Sequence, residues 1–387
     1  MFGPDEFYNQ LLDSSHFDFY GTVRRFAETE IAPYVFQWEE EGEFPLELFR
    51  KAARAGILGP AIPAEYGGGG GDIFHAMLLC EGLLWGKSMG VLAGLNSLAI
   101  AMPPVMILGT EEQKKNFVIP VAQGQKIAAL AITEPNAGSD VSGIQTRAEK
   151  KGNSYILNGS KTYITSGTRA DFITVLVRTS SDPYRGLTFF VVEKGFQGFS
   201  VANKLKKMGW WASDTAELSF NDCQVPVTHR LGEEGSGFKA VMDNFLSERM
   251  RLAAYGHGCA EVALYEAETY VKQRRAFGKT LAEFQVIQHK LARMATLVRA
   301  CKSLNYMTAD SIRRNLNPIE AVCQAKNFAA EAAKEVCDHA VQIFGGMGYM
   351  RECVVERLYR DVRILGIGGG TSEIMNEIIS KQRGIRA

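Results

Sequence analysis

The chain has 387 residues, 46% of them apolar and 22% charged, ordinary values for a globular protein long enough to build two or three domains around a sizeable core. Its 43 Lys and Arg balance its 43 Asp and Glu, so no net charge points to nucleic acid or an anionic membrane, and an anionic ligand has to be held by local groups. Seven cysteines without a CxxC pair and six histidines without an HExxH argue against the usual zinc and disulfide frameworks; a reducing compartment and no metal site are expected.

The opening MFGPDEFYNQ lacks the basic-then-apolar order of a secretory signal and the Arg-rich make-up of a transit peptide, so a cytoplasmic protein is expected. Residues 1–125 read as a helical domain, because Val23, Phe26, Ala27 and Ile31, and again Leu48, Phe49, Ala52 and Ala53, share one helix face. Ser15 with Asp18 is expected to cap the first long helix. The glycine run 67–71 fits neither GxGxxG nor a P-loop and reads as a flexible surface turn. Residues 89–109 are uncharged over a length that could span a bilayer, but Asn96, Ser97 and Pro103-Pro104 predict instead a buried helix that breaks near the prolines.

From 126 to 232 the texture changes to short β-branched and aromatic runs: IAALAIT, SYILNG, SKTYITSG, DFITVLVRT, LTFFVVEK and TAELSF. Asn158-Gly159 is a hairpin signal, since both residues tolerate the positive φ of a type I′ turn. Many strands with no helices between them predict an antiparallel β-domain rather than a Rossmann unit. Over 233–387 the helical period returns, with long helices at 236–273, 282–313 and 317–344 and a last one after Thr371, which suggests a bundle. The fold class is therefore α+β in three parts, helical, β and helical, with the cleft expected where they meet.

The β-region opens with Ala131-Ile132-Thr133-Glu134-Pro135-Asn136-Ala137-Gly138-Ser139-Asp140, a small-residue turn whose hydroxyls and backbone N–H groups suit a polar ring edge and a pyrophosphate. Taken alone it is better read as a hydroxyl-rich turn. Nearer the C-terminus stands Gln342-Ile343-Phe344-Gly345-Gly346-Met347-Gly348-Tyr349, followed by Glu352, Arg357 and Asp361 in a helical frame. Together the two stretches resemble the acyl-CoA dehydrogenase family, whose signatures TEPxAGSD and QxxGGxG(Y)xxExxxxRxxxD are met here at every position. The likeness extends through Tyr163-Ile164-Thr165, Lys207-Met208-Gly209, Asp214-Thr215-Ala216-Glu217-Leu218, residues 274–278 and Gly370-Thr371-Ser372-Glu373-Ile374.

The resemblance implies an FAD enzyme that desaturates acyl-CoA thioesters. It assigns Thr133 and Ser139 to the flavin pyrimidine edge and phosphate, and Tyr163 with Thr165 to the ring near N5, with Leu130, Ile132, Gly138 and Ile164 among the same contacts. Arg274 matches the Arg that pairs with the FAD pyrophosphate from a neighbouring subunit. Ala276, Phe284, Gln285, Gln342, Gly345 and Gly346 match cofactor contacts, with Gln285 and the 342–346 segment touching the adenosine half across a subunit boundary. A cofactor shared in this way implies a homotetramer, a dimer of dimers. Thr371, Ser372 and Glu373 lie by the FAD, while the Gly369 N–H polarises the thioester carbonyl and Gly370, Arg249 and Ser139 add substrate contacts.

Removal of the α-proton needs a carboxylate on the side of the acyl chain away from the flavin. In many members of the family it directly precedes Gly-Thr in the C-terminal loop, a position held here by Gly369. The branch with the long-chain and isovaleryl enzymes supplies it from a helix, in a sequence similar to Leu246-Ser247-Glu248-Arg249, which makes Glu248 the expected base. The spacing agrees: Val241, Phe245, Glu248 and Leu252 form one stripe, where a carboxylate is costly without a task or a partner. An ion pair of Glu248 with Arg249 or another helix's cation is the structural alternative, and Glu373 is the rival base. Pro103 breaks a helix expected to line the acyl pocket, which fits a deeper cavity or a kink that serves packing alone. Trp210 and Trp211 either narrow the cleft or pack. An acyl-CoA oxidase, a flavin monooxygenase and a nucleic-acid-binding relative are the rival functions; chain length, Glu248 and the balanced charge argue against each in turn. The family usually passes its electrons to an electron-transferring flavoprotein.

Overall fold

The computed structural model describes residue 4 and residues 6–316 and 318–385; residues 1–3, 5, 317 and 386–387, which fall inside the expected domain and helix ranges, lie outside the described residues. The first part is helical: α1 (Ser14–Phe26), α2 (Val35–Glu41), α3 (Glu47–Arg54), α4 (Ile73–Leu83), α5 (Met89–Leu95), α6 (Leu98–Ala101), α7 (Pro103–Leu108), α8 (Glu111–Gln113) and α9 (Ile119–Ala122). Asp13, rather than Ser15 with Asp18, caps α1. Its Oδ1 accepts the Ser15 and His16 N–H groups at 2.9 and 3.4 Å, and the His16 ring closes a capping box at the Asp13 N–H. Ser15 already lies inside the first turn, so its hydroxyl cannot serve the orphan amides that a true N-cap meets.

The run 67–71 is a packed turn, not a loose one: its N–H groups reach back to carbonyls between Gly59 and Ala64, and a side chain at Gly68 would meet the Ile62 carbonyl at 2.2 Å. Residues 89–108 break at Asn96-Ser97 and again before Pro103, and the pieces bend by 45° inside the core. No single helix among the described residues is long and apolar enough to cross a membrane.

The middle part is one eight-stranded sheet: β1 (Ala128–Ala131), β2 (Arg147–Lys151), β3 (Ser154–Thr165), β4 (Phe172–Arg178), β5 (Leu187–Glu193), β6 (Phe199–Lys204), β7 (Thr215–Pro226) and β8 (Arg230–Leu231), in the order β6-β7-β3-β2-β4-β5-β8 with β1 also on β4. It is mostly antiparallel, but β1 and the end of β2 run parallel to β4. Asn158 and Gly159 do not turn a hairpin. They lie within the continuous β3, where Gly159 at φ 146° lets Thr146 approach so closely that a side chain would meet its Oγ1 at 2.5 Å. The turn falls at Gly152-Asn153, with Lys151 opposite Ser154. Strand β2 hides from a periodicity reading because only Ala148 of its five residues is buried and four are charged.

The last part is a bundle of α10 (Gly237–Gln273), α11 (Gln285–Arg313), α12 (Ile319–Phe344), α13 (Val354–Val362) and α14 (Ser372–Gln382), with the small ribbon β9 (Arg275–Ala276) and β10 (Lys279–Thr280) after α10. Small residues let α10 and α12 come close; a side chain at Gly256 would meet the Ala329 carbonyl at 2.8 Å.

Two buried carboxylates join the three parts. Asp361 (α13) accepts the Met89 N–H at the start of α5 at 3.2 Å and the Trp210 N–H, from the turn after β6, at 2.6 Å. Glu39 (α2) accepts from Ser88 Oγ at 3.0 Å and from the Ala212 N–H at 3.2 Å, and pairs with Arg360 at 2.9 Å. Asp361→Asn keeps the shape but sets an amide N–H against one of two backbone donors. Its unfolding free energy is expected to fall by about 2–4 kcal/mol, read as a lower urea midpoint; an unchanged midpoint would show that the junction does not depend on this carboxylate.

Candidate active site

On the sheet side a buried ion pair sets the geometry. Lys161 (β3) is fully buried, and its Nζ donates to Ile132 O at 2.8 Å and pairs with Glu134 at 2.8 Å. Glu134 also accepts the Gln145 and Thr146 N–H groups at 2.7 and 2.9 Å, so one carboxylate anchors the turn that begins at Thr133. Burial pushes Lys161 down to about 8, opposed by Glu134. Thr162 N–H donates to Thr133 O at 3.0 Å, which lays the segment 130–133 beside Tyr163, Ile164 and Thr165. Here the β3 register slips between Lys161 and Ile164, and Tyr163 takes φ 61° with its ring 70% exposed. Ser166 (φ 61°) and Trp210 (φ 56°) also hold a left-handed backbone, which costs a non-glycine residue about 1–3 kcal/mol and is characteristic of sites where geometry serves more than folding.

On the helix side, α10 presents Glu248, Arg249 and Arg251, α12 adds Lys326 and Asn327, and the loop before α14 closes over them. Gly369 and Gly370 sit at φ 66° and 97°, open to glycine and strained for other residues. The Gly369 carbonyl accepts from Arg249 Nε at 3.3 Å, the Gly370 carbonyl from Lys326 Nζ, and the Ser372 carbonyl from Asn327 Nδ2 at 3.1 Å. Thr371 caps α14 through the Ile374 N–H. The loop carbonyls are thus engaged, while the Gly369 and Gly370 N–H groups have no acceptor among the described residues.

Glu248 is half-buried and makes no ion pair among the described residues, so the structural alternative of a salt bridge to Arg249 or another helix is not what is found. A Cβ at residue 369 would stand 3.7 Å from Glu248 Oε1. Burial raises the Glu248 carboxyl above the usual range, opposed by Arg251, Arg249 and Lys326. Burial and the neighbouring Arg249 push Lys326 down to about 8. Glu373 behaves oppositely: it is exposed, and its own backbone N–H and the Thr371 hydroxyl hold it below the usual range, which makes it the weaker base. Beside Ser247 and Arg251 lies a cavity of about 360 Å³ whose walls include Leu79, Leu98, Met102, Pro103 and Met106, so the Pro103 break does border it. The two tryptophans pack: Trp210 lies 6.2 Å from the Tyr255 ring and Trp211 sits 3.7 Å under the Arg360 guanidinium.

The expected site residues do not all come together. Arg274, Ala276, Phe284 and Gln285 lie past the far end of the 37-residue α10, roughly 40 Å from Glu248 at 1.5 Å per residue. Gln342, Gly345 and Gly346 sit at that same end, because Phe344 stacks on Tyr270 at 4.1 Å. One chain therefore cannot wrap both groups around one small ligand. The far group is open: Phe277 is 95% and Tyr349 81% exposed, and a side chain at Gly346 would meet nothing within 4 Å. Nothing in the chain itself demands glycine at Gly346, which fits a group approaching from outside. The near group fits a flavin ring, with space beside Gly138, where the nearest atom is 3.9 Å away, and with Tyr163 presented at the bulge. Lys161, Lys326, Asn327 and Arg251 were not foreseen from sequence. Lys326 alone leaves a legible trace there, a charge on the apolar stripe of an Ala-rich helix.

Comparison with known proteins finds three family profiles in order: acyl-CoA dehydrogenase N-terminal domain over residues 13–125, middle domain over 129–223 and C-terminal domain over 235–383. The long-chain specific acyl-CoA dehydrogenase of Sus scrofa mitochondria is 39% identical over 378 residues, 96% of this chain and 87% of that protein. The caffeyl-CoA reductase–Etf complex subunit CarC of Acetobacterium woodii is 38% identical over 362 residues, 92% and 95% of the two chains. The crystal structure of a probable acyl CoA dehydrogenase from Mycobacterium abscessus matches with a TM-score of 0.95 at 43% identity, covering 97% of this chain and 100% of that one.

Lys326→Met keeps the bulk on α12 but loses the bond to the Gly370 carbonyl. Hydrogen exchange at the amides of residues 368–371 is expected to speed up about tenfold or more, as loss of a charged hydrogen bond worth roughly 1.5–3 kcal/mol implies. Unchanged exchange would show that the loop is held by other contacts.

Proposed function

The chain belongs to the acyl-CoA dehydrogenase family, which makes it an FAD-dependent enzyme that dehydrogenates acyl-CoA, and from that premise we propose that Glu248 is the base that removes the α-proton on the way to the trans-2-enoyl thioester. One observation carries this reading: Glu248 Oε1 lies 3.7 Å from the point where a Cβ at residue 369 would stand, and Leu252 Cδ1 lies 2.4 Å from it, so α10 brings a carboxylate beside Gly369 and fills the space that a side chain there would need. Bound FAD supplies the acceptor for the β-hydride at N5.

The protein's own part begins with the thioester carbonyl. The Gly369 and Gly370 N–H groups, free of internal acceptors, are the donors for it, and they acidify the α-carbon as charge develops on the oxygen. Arg249 and Lys326 act through the loop, holding those donors in place by its carbonyls. Burial keeps Glu248 basic enough to take a weakly acidic proton. Leu130, Ile132, Thr133, Gly138, Ser139, Tyr163, Ile164 and Thr165 hold the flavin end, with Thr371, Ser372 and Glu373 beside it and Ser139 also toward the substrate. Arg274, Ala276, Phe284, Gln285, Gln342, Gly345 and Gly346 hold the adenosine end of a neighbouring subunit's FAD. Their distance from Glu248 within one chain supports this, and with it a homotetramer built as a dimer of dimers. An electron-transferring flavoprotein is the acceptor we favour, supported by the relative CarC, whose name places it in an Etf complex. The seven free, buried cysteines suit a reducing cytoplasm.

Glu248→Gln is expected to keep its yellow FAD and bind acyl-CoA while anaerobic bleaching of the flavin slows by about 10²–10⁴-fold. Bleaching near the unmodified rate would remove Glu248 from the mechanism. Because the base acts ionised and burial disfavours that form, bleaching by the unmodified enzyme should rise with pH through a limb above the ordinary glutamate value of 4.5. A limb centred at 4.5 or lower would contradict the assignment.

A further inference from the structure

Three cations surround Glu248, and two of them serve the loop: Arg249 at the Gly369 carbonyl and Lys326 at the Gly370 carbonyl. The third does not. Arg251 stands one helical turn beyond Glu248, a spacing at which an acid and a base on one helix can pair, yet no ion pair forms between them. Its guanidinium acts on Glu248 from beyond ion-pair distance, and its Nη2 donates to the Ala99 carbonyl at 2.7 Å. Arg251 is only 7% exposed and has no acidic partner among the described residues. A guanidinium carries five N–H donors, of which this one bond uses one, and a buried cation without an anion is costly.

The side chain lines the 360 Å³ cavity. Most of that cavity's wall is apolar, but Asn96, Ser247 and Asp72 join Arg251 among its polar lining; Asp72 is spent on His16 and His75 at 3.1 and 2.9 Å, and Asn96 is fixed by its bond to the Tyr255 hydroxyl at 3.3 Å. A plain hydrocarbon chain would satisfy the apolar wall and leave the guanidinium unpaired. A carboxylate would meet it with two parallel N–H···O bonds, the pairing for which the planar fork is suited.

We propose that Arg251 is a specificity residue, and that the acyl group this enzyme takes ends in a carboxylate: the substrate is the CoA monothioester of a dicarboxylic acid. The proposal rests on Glu248 as the base, because that places the α-carbon at Glu248 and Arg251 about 4.5 Å further along the helix axis. The second carboxylate then lies a few bonds beyond Cβ.

The test uses the FAD-loaded enzyme and pairs of CoA thioesters of equal length, one ending in methyl and one in carboxylate, with affinities from isothermal titration and rates from flavin bleaching. The unmodified enzyme is expected to bind the carboxylate-ended member at least about tenfold more tightly and to favour it in kcat/KM. Arg251→Met is expected to bring that ratio to one or below, whatever its effect on either thioester alone; Arg251→Lys, which keeps the charge without the fork, should keep part of it. A ratio of one or less in the unmodified enzyme overturns the proposal and leaves the dehydrogenase reading untouched. An Arg251→Met variant that weakens both thioesters equally overturns it too, since that is the result if Arg251 serves only to keep Glu248 ionised. A retained binding preference in the unmodified enzyme together with near-normal bleaching by Glu248→Gln supports the subsite and sinks the base assignment instead.

Discussion

The Asp361 carboxylate is the joint on which the cleft depends. It is fully buried on α13, and its two oxygens take backbone N–H groups from the first helical part and from the sheet part. Backbone donors leave little freedom of position, so three separately packed pieces are held in one relative placement. Glu39 repeats the link from the opposite direction, and the chain is pared down where they meet: a side chain at Gly209 would strike the Arg360 carbonyl at 2.7 Å, and one at Gly90 the Trp210 backbone at 3.0 Å. The signature residue Arg357 belongs to the same joint, donating to the Lys87 carbonyl at 3.1 Å.

The same division recurs across the motifs, where the residues that stand out in sequence often hold the site rather than face it. Glu134, at the heart of TEPNAGSD, is spent on Lys161 and two backbone amides, and by fixing them it leaves Thr133 and Ser139 on a settled turn. In the C-terminal loop, cations from two helices grip the carbonyls so that the N–H groups stay free. Buried charges are stabilising here only because each has a partner, and the partner is usually the backbone of the segment that must be placed. Arg251 has a backbone partner too, the Ala99 carbonyl, but unlike Arg249 and Lys326 it also lines the cavity, and for that reason it is the one most informative about what enters from outside.

Length sets a second constraint. Helices α10 and α12 run side by side, with the Glu248 and Lys326 region near one end and the Tyr270 and Phe344 stack at the other. A rigid pair of this length cannot fold back, which supports the proposal that contacts for the two ends of one extended cofactor come from different copies of the chain. The association of subunits in this reading follows from helix geometry rather than from an added interface motif.

By itself the sequence determined the three-part order, the three long C-terminal helices to within a few residues, and the two motifs that identify the family, because long 3.6-residue periods and contiguous signatures are local information. It also pointed to Glu248, through its resemblance to the family branch with a helix-borne carboxylate, and its place on an apolar stripe agrees with that reading. The pairing of the sheet was decided elsewhere: Asn158-Gly159 has turn chemistry, yet it runs straight through β3 because Thr146 needs the room and Gly152-Asn153 turns instead. The cap of α1 likewise went to the residue whose backbone stood outside the helix. Only the tertiary structure showed that Glu248 stands beside Gly369, that Lys161 pins the turn that begins at Thr133, and that Arg251 forms no ion pair with an acid among the described residues. Each of these is a contact between segments far apart in the chain, and a contact of that kind depends on packing direction, which spacing along a sequence does not carry.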